Sequence, residues 1–314
     1  MEKGIVSILS NRKTKSAVEK IAAYIFTACA IVSIVAVISI TGYMIISGTP
    51  AIFKVGLTDI LFSNVWEPTA STPQFGILNI ILTSIVGVFL AICIGVPIGI
   101  LTAVNLSEIA NPRTRKIIKS AVELLAGIPS VVYGLLGILI ITPIMYQLEL
   151  FIFASSTTHQ FTGGSNLISA ILVLAIMILP TLINITETSL KSVPDDYRKS
   201  SLALGASQMQ TIFKVVLPAA KNGIMSAVVL GVGRAIGEAM AILLVAGNSV
   251  NVPLPFHSVR FLTTGIVSEM GYASGLHREV LFTIGLVLFI FIIVINLVLT
   301  FVLKGGNQDG EWYL

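Results

Sequence analysis

The chain has 314 residues, of which 55% are hydrophobic and 11% charged, and its mean hydropathy is +0.96. That composition excludes an ordinary water-soluble domain and marks an integral membrane protein. The net charge of +4 rests on Lys and Arg gathered in particular loops, which is a statement about membrane orientation and not a nucleic-acid footprint.

From the start of the chain, runs of about 20 or more apolar residues recur, long enough to cross a bilayer as helices, without the alternation of a membrane barrel. Six are predicted, at 21–46, 77–104, 119–145, 167–185, 222–246 and 279–303, giving an all-α membrane protein. Lys3, Arg12, Lys13, Lys15 and Lys20 precede the first run. Arg113, Arg115, Lys116 and Lys119 lie between the second and third, and Lys191, Arg198, Lys199, Lys214 and Lys221 between the fourth and fifth. The opposite loops hold just Lys54, Arg260 and Arg278, so both termini are cytoplasmic. The chain divides into an N-terminal segment (1–20), a first helix with its outward loop (21–74), a core of five helices (75–303) and a tail (304–314).

The first run is too long for a signal-peptide core and reads as an uncleaved anchor. Cys29 and Cys93 fall within predicted spans, and His159, His257 and His277 lie in outward loops without ligand spacing. No disulfide and no metal site is expected. Three outward segments, about 47–76, 146–166 and 247–278, serve either as a docking face or as plain connections; the third has room for a partly re-entrant helix.

Glu123 sits about one turn into the third span, where interfacial water or the helix N-terminus accommodates it. The sequence from Ala126 through Gly127 and Pro129 to Ser130 is a helix break, because Pro129 removes a backbone hydrogen bond and Gly127 loosens the turn. Such breaks expose backbone groups to a substrate path. Pro97 and Pro180 lack polar neighbours and read as kinks.

A polar stretch at about 192–218 separates the fourth and fifth spans. Ser192, Pro194, Asp195 and Asp196 make a helix start with acids at the positive dipole end. Leu202, Ala206, Met209, Phe213 and Val216 recur every three or four residues, predicting an amphipathic helix that Gly205 can turn and Pro218 ends. Periodicity leaves two homes for its apolar stripe, a lipid surface and a soluble partner.

In the fifth span Arg234 falls near the middle of an apolar helix. A charge there costs about 2.5–3.5 kcal/mol, so something must solvate it. Glu238, four residues on, is expected on the same face about 6 Å further along, and Gly233 and Gly237 allow close helix packing beside the pair. Two readings stand: a polar pathway, or an ion pair that locks this helix to a neighbour. A planar guanidinium that keeps its proton suits phosphate or carboxylate, so the expected cargo is an oxyanion, with Glu238 competing for Arg234 until cargo arrives.

The pattern Lys199, Ser200, Ser201, Gly205, Val215, Leu217, Pro218 resembles the coupling-helix signature of ABC importer permeases, with Lys199, Ser200 and Ser201 replacing its opening Glu-Ala-Ala. Three further stretches resemble phosphate (Pst-type) importer permeases, and the PstC-like subunit among them: LAGIPSVVYG from Leu125, LGVGRAIGEAM from Leu230, and Glu269 with Met270 before the last span. The resemblance implies type I architecture and transport by alternating access. The substrate-pathway candidates remain Arg234, Glu238 and Ser130, and the resemblance implies ATPase coupling through Lys199, Ser200, Ser201, Gly205, Ala206, Val215, Leu217 and Pro218. It also implies a heterodimer with a sister permease, two ATPase subunits that bind ATP and Mg, and an external phosphate-binding protein, in a bacterial or archaeal plasma (inner) membrane.

The chain carries no GxxxxGK[ST] phosphate loop, nucleophile elbow or catalytic cysteine pattern, so it is expected to be no enzyme and to hold no cofactor of its own. The competing readings are a permease for sulfate or molybdate, a proton-coupled secondary transporter using Glu238, and a membrane receptor or scaffold.

Overall fold

The computed structural model describes residues 2–305, with side chains over 19–298 and at 301. The tail predicted at 304–314 lies outside the described residues from 306 on, as do the side chains of Lys3, Arg12, Lys13 and Lys15.

Hydrocarbon offers backbone amides no partners, so the spanning segments are helices that satisfy their own. After the long α1 (Glu2–Val55) the chain makes a short α2 (Leu57–Phe62) and a small outward hairpin, β1 (Trp66–Glu67) with β2 (Gln74–Phe75). The second span, α3 (Leu78–Val104), ends in a π turn at Asn105–Ile109. Next comes α4 (Pro112–Ala126), and then α5 (Ser130–Leu136) and α6 (Thr142–Ile152) form one span joined by a π turn. The fourth span is α7 (Leu167–Lys191). On the cytoplasmic side follow α8 (Asp195–Ala203), α9 (Gln208–Thr211), a π turn at Ile212–Val216 and α10 (Leu217–Ala219). The chain then bends by 69° into α11 (Lys221–Gly237) and continues through α12 (Met240–Val245), the outward α13 (Leu262–Glu269) and the last span α14 (Gly275–Gly305).

The core is organised on α7. Glycines on α3 admit it closely: a Cβ on Gly95 would stand 2.7 Å from Ile178, and one on Gly99 2.8 Å from Leu182. Ala227, Val232 and Ile236 of α11 complete the same buried cluster. By contrast α1 leans on α14 near its outward end, where Thr283 Oγ1 donates to the Gly48 carbonyl at 2.7 Å and Tyr43 meets Phe282 edge to face. The rest of α1 from Glu19 is largely bare, as suits a helix in lipid.

Three expectations change. The span predicted at 119–145 is not continuous: α4 stops at Ala126, and Pro129, with ψ at 143°, turns the chain before a new helix begins at Ser130. The helix predicted at 222–246 ends at Gly237, and Glu238 is extended (ψ 131°) before α12. The single amphipathic helix of 192–218 is a helix–turn–helix, because Gly205 takes φ +83°, a left-handed conformation open to glycine.

Candidate transport centre and coupling loop

Two of these breaks meet inside the membrane. Arg234, half-buried near the end of α11, donates from Nη1 to Thr181 Oγ1 at 3.1 Å. Thr181 lies about 21 Å along α7 from its outward end and about 15 Å from its inner end, at 1.5 Å per residue. Beyond the two breaks α5 packs on α12, where a Cβ on Gly134 would stand 2.9 Å from the Ala241 backbone. The Tyr133 hydroxyl donates to the Leu125 carbonyl at 2.6 Å, tying α5 to the end of α4 across the Gly127–Pro129 break. Ser130 opens the outer half-helix, whose first-turn amides have no intrahelical acceptor.

Arg234 and Glu238 do not form the expected ion pair among the described residues. The helix ends between them, so the i,i+4 relation on which the pairing rests does not exist. The buried Glu238 carboxylate instead accepts from the Ala241 amide at 2.8 Å, in the first turn of α12, and its carbonyl accepts from Thr263 Oγ1 at 2.6 Å. Gly233 and Gly237 pack on nothing among the described residues; with the exposed Leu230 and Met240 they leave an open strip beside Arg234.

The outward loops are fastened by two buried carboxylates: Glu269, which the sequence offered only as part of a resemblance, and Glu149, which it did not single out. Glu269, 4% exposed, accepts from Arg260, from Trp66 Nε1 at 3.1 and 3.2 Å, and pairs with His277 Nε2 at 2.7 Å. Arg260 in turn holds the Asn248 carbonyl and side chain at 3.1 Å. Burial, and then the Glu269 charge, push the nearby Tyr272 phenol above its ordinary pKa. Glu149 is satisfied by His159 Nε2 at 2.8 Å and the Thr162 amide at 3.0 Å. Both acids adjoin apolar runs, a signal available in the sequence, but Trp66 is 203 positions from Glu269.

On the cytoplasmic side, Ser201 Oγ meets Thr211 Oγ1 at 2.9 Å and the Ala206 amide bonds the Ser201 carbonyl, which folds α8 back toward α9. A recess of about 510 Å³ lies between Asp196, Tyr197, Ser200, Ser201, Leu204, Ala206 and Val215. Lys199 and Gly205 are exposed, while Leu217 and Pro218 lead into the bend before α11. Leu202, Met209 and Phe213 of the predicted stripe point outward and Leu204 is 90% exposed, whereas Ile212 and Val216 are buried. Arg198 grips Glu108 with two hydrogen bonds, and this contact raises its pKa further above the ordinary arginine value against the opposing effect of burial.

Residues 95–305 match the family described as binding-protein-dependent transport system inner membrane component. The chain belongs to this family. It is a multi-pass inner-membrane permease subunit, and its relatives are subunits of transporters, not enzymes. The permease is 38% identical to the probable ABC transporter permease protein YqgH of Bacillus subtilis, over 92% of this chain and 93% of that one. It is 32% identical to the phosphate transport system permease protein PstC of Pasteurella multocida, over 80% and 81%. Among solved structures it is similar to a bacterial ABC transporter involved in the import of the acidic polysaccharide alginate, with TM-score 0.55, 16% identity, and 72% and 78% of the two chains covered. The inward-facing MetNI methionine ABC transporter gives TM-score 0.50 at 21% identity, over 73% and 94%. These likenesses give the fold, that of a type I ABC importer permease.

Proposed function

We propose that this permease carries inorganic phosphate into the cytoplasm by alternating access, paired with a sister permease, driven by two ATPase subunits that bind ATP and Mg, and fed by an external phosphate-binding protein. The observation that carries this reading is Arg234: a guanidinium at mid-membrane, bonded to a hydroxyl, beside a helix break and an open strip. Burying a charge without a counter-charge is unfavourable, so the site is incomplete until an anion arrives. A fork of N–H donors takes a phosphate oxygen pair, with Thr181 beside it as a further hydrogen-bonding group and Ser130 at the head of α5 as a second. The relatives named for phosphate transport favour phosphate over sulfate or molybdate. Glu238 shapes the centre by starting α12, and the open strip of Gly233 and Gly237 is where the sister permease closes the pathway.

The exposed Leu202, Leu204, Met209 and Phe213 form the ATPase contact, together with Lys199, Ser200, Ser201, Gly205, Ala206, Val215, Leu217 and Pro218 around the recess. The test is uptake of labelled phosphate, sulfate and molybdate into vesicles holding the assembled transporter. Phosphate uptake that needs ATP and falls with Arg234→Met supports the reading. Uptake by the permease alone from a proton gradient, or preference for sulfate or molybdate, overturns it.

A further inference from the structure

We propose that Glu108, in the π turn that ends α3, is a joint through which the coupling loop drives α3 and α4, and that Arg198 is its positioning partner. This rests on the reading of the loop at 192–218 as the ATPase contact.

The π turn at Asn105–Ile109 is held from three elements at once. From α8, Arg198 Nε donates to Glu108 Oε2 at 3.0 Å and Nη2 to Oε1 at 2.8 Å. The same guanidinium holds the Val193 carbonyl at 2.7 Å and the Leu190 carbonyl at 2.9 Å, so it also caps the end of α7, with Asp195 at 3.5 Å. From the start of α9, Gln208 Nε2 donates to the Glu108 carbonyl at 3.2 Å. From α4, Arg115 donates to the Leu106 carbonyl at 2.6 Å and the Ser107 carbonyl at 2.8 Å. Both arms of the coupling loop therefore grip one residue, and α4 grips the two before it. Beneath them Leu106, Val122, Ile212 and Val216 share one apolar cluster, which joins this π turn to the one that follows α9.

The covalent route from the loop into α11 passes a 69° bend, so a push on the loop is not in line with that helix. The route through Glu108 has no such hinge. It leads directly into α3, and through Arg115 into α4, a rod about 22 Å long. Lys119, bonded to Glu187 of α7 at 2.9 Å, pins α4 at its middle. Its far end is the break at Gly127–Pro129, which Tyr133 bridges from α5, the helix that packs on α12 just past the Glu238 break. A tilt of α4 about Lys119 would move the Leu125 carbonyl away from Tyr133, converting loop motion into a change at the transport centre. A bidentate pair, with side-chain exposures of 20% and 9%, is suited to pass such a displacement, since its two bonds fix angle as well as distance.

The experiment uses the complete transporter in vesicles and three readouts: ATPase bound to the membrane subunits, ATP hydrolysed, and phosphate moved per ATP. Glu108→Gln keeps the shape and removes the charge; Arg198→Lys keeps the charge and removes the fork. Each is expected to leave assembly and hydrolysis within twofold and to lower phosphate per ATP about tenfold. The exchange of Glu108→Arg with Arg198→Glu should recover part of the ratio. An unchanged ratio in both single variants overturns the proposal, and so does loss of assembly in proportion to loss of uptake, which would mean a merely structural pair. Leu204→Asp tests the underlying reading separately: if it leaves ATPase binding intact, the loop is not the contact.

Discussion

Arginines occupy three depths in this permease and keep unequal company. Outside, Arg260 is bonded to Glu269 and to both oxygens of Asn248. Inside, Arg198 has Glu108 and two helix-end carbonyls. Between them Arg234 donates to the hydroxyl of Thr181. The two at the edges are each held by a carboxylate and by one or more backbone carbonyls of the same chain. The central one, where desolvation is most severe, lacks a carboxylate partner among the described residues. A fold that pairs its edge arginines and leaves the central one without a carboxylate among the described residues fits the proposed reading of Arg234 as the anion site.

The sharpest way to test this contrast is to remove an edge partner. Glu269→Ala strands Arg260 and leaves Trp66 and His277 without their acceptor, and breaking a buried pair of this kind is destabilising by about 3–5 kcal/mol. Denaturant or thermal unfolding of the purified permease should show it. Arg234→Met should do the reverse: phosphate uptake falls about a hundredfold, roughly 2.7 kcal/mol of lost transition-state stabilisation, while thermal stability holds or rises because an unpaired charge leaves the membrane. Equal destabilisation by both variants would erase the contrast. Smaller again is Tyr133→Phe, which deletes the bond to the Leu125 carbonyl. About 1 kcal/mol of stability is expected to go with it, and uptake should fall a few-fold as the helix break loosens.

The fold was legible where apolar length governs it, and the candidate site where a residue breaks a rule. Arg234 was visible because a charge interrupts an apolar run, and the Gly127–Pro129 break because proline cannot continue a helix. What stayed hidden depended on distances along the chain or on where a helix stops. Glu238 looked like the ion-pair partner of Arg234 since four residues make one turn, yet the helix ends at Gly237 and the carboxylate turns to Ala241 instead. The spacing of Leu202, Ala206, Met209, Phe213 and Val216 predicted one apolar face on one helix, but the left-handed turn at Gly205 divides that helix, and Leu202, Met209 and Phe213 are exposed while Val216 is buried. Glu108 and Arg198 lie 90 positions apart, and Glu269 and Trp66 lie 203 apart, separations that no local periodicity spans.

The finest test of the outer cluster is its response to alkali. Tyr272 stands near Glu269, and burial together with that carboxylate raises its pKa in the folded protein above the ordinary tyrosine value near 10. The folded state therefore favours the neutral phenol more than the unfolded chain does. Its contribution to stability is complete below the unfolded pKa and is lost as the pH rises from there through the folded pKa, since ionisation is then easier in the unfolded chain. Stability of the parent should decline at and above about pH 10 more steeply than that of Tyr272→Phe, with the two curves parallel at neutral pH. Because the residue is largely exposed, the difference is small. Replacing Glu269 with Gln should shrink it further, and a Tyr272→Phe curve that follows the parent throughout would mean that neither burial nor the Glu269 charge shifts the phenol.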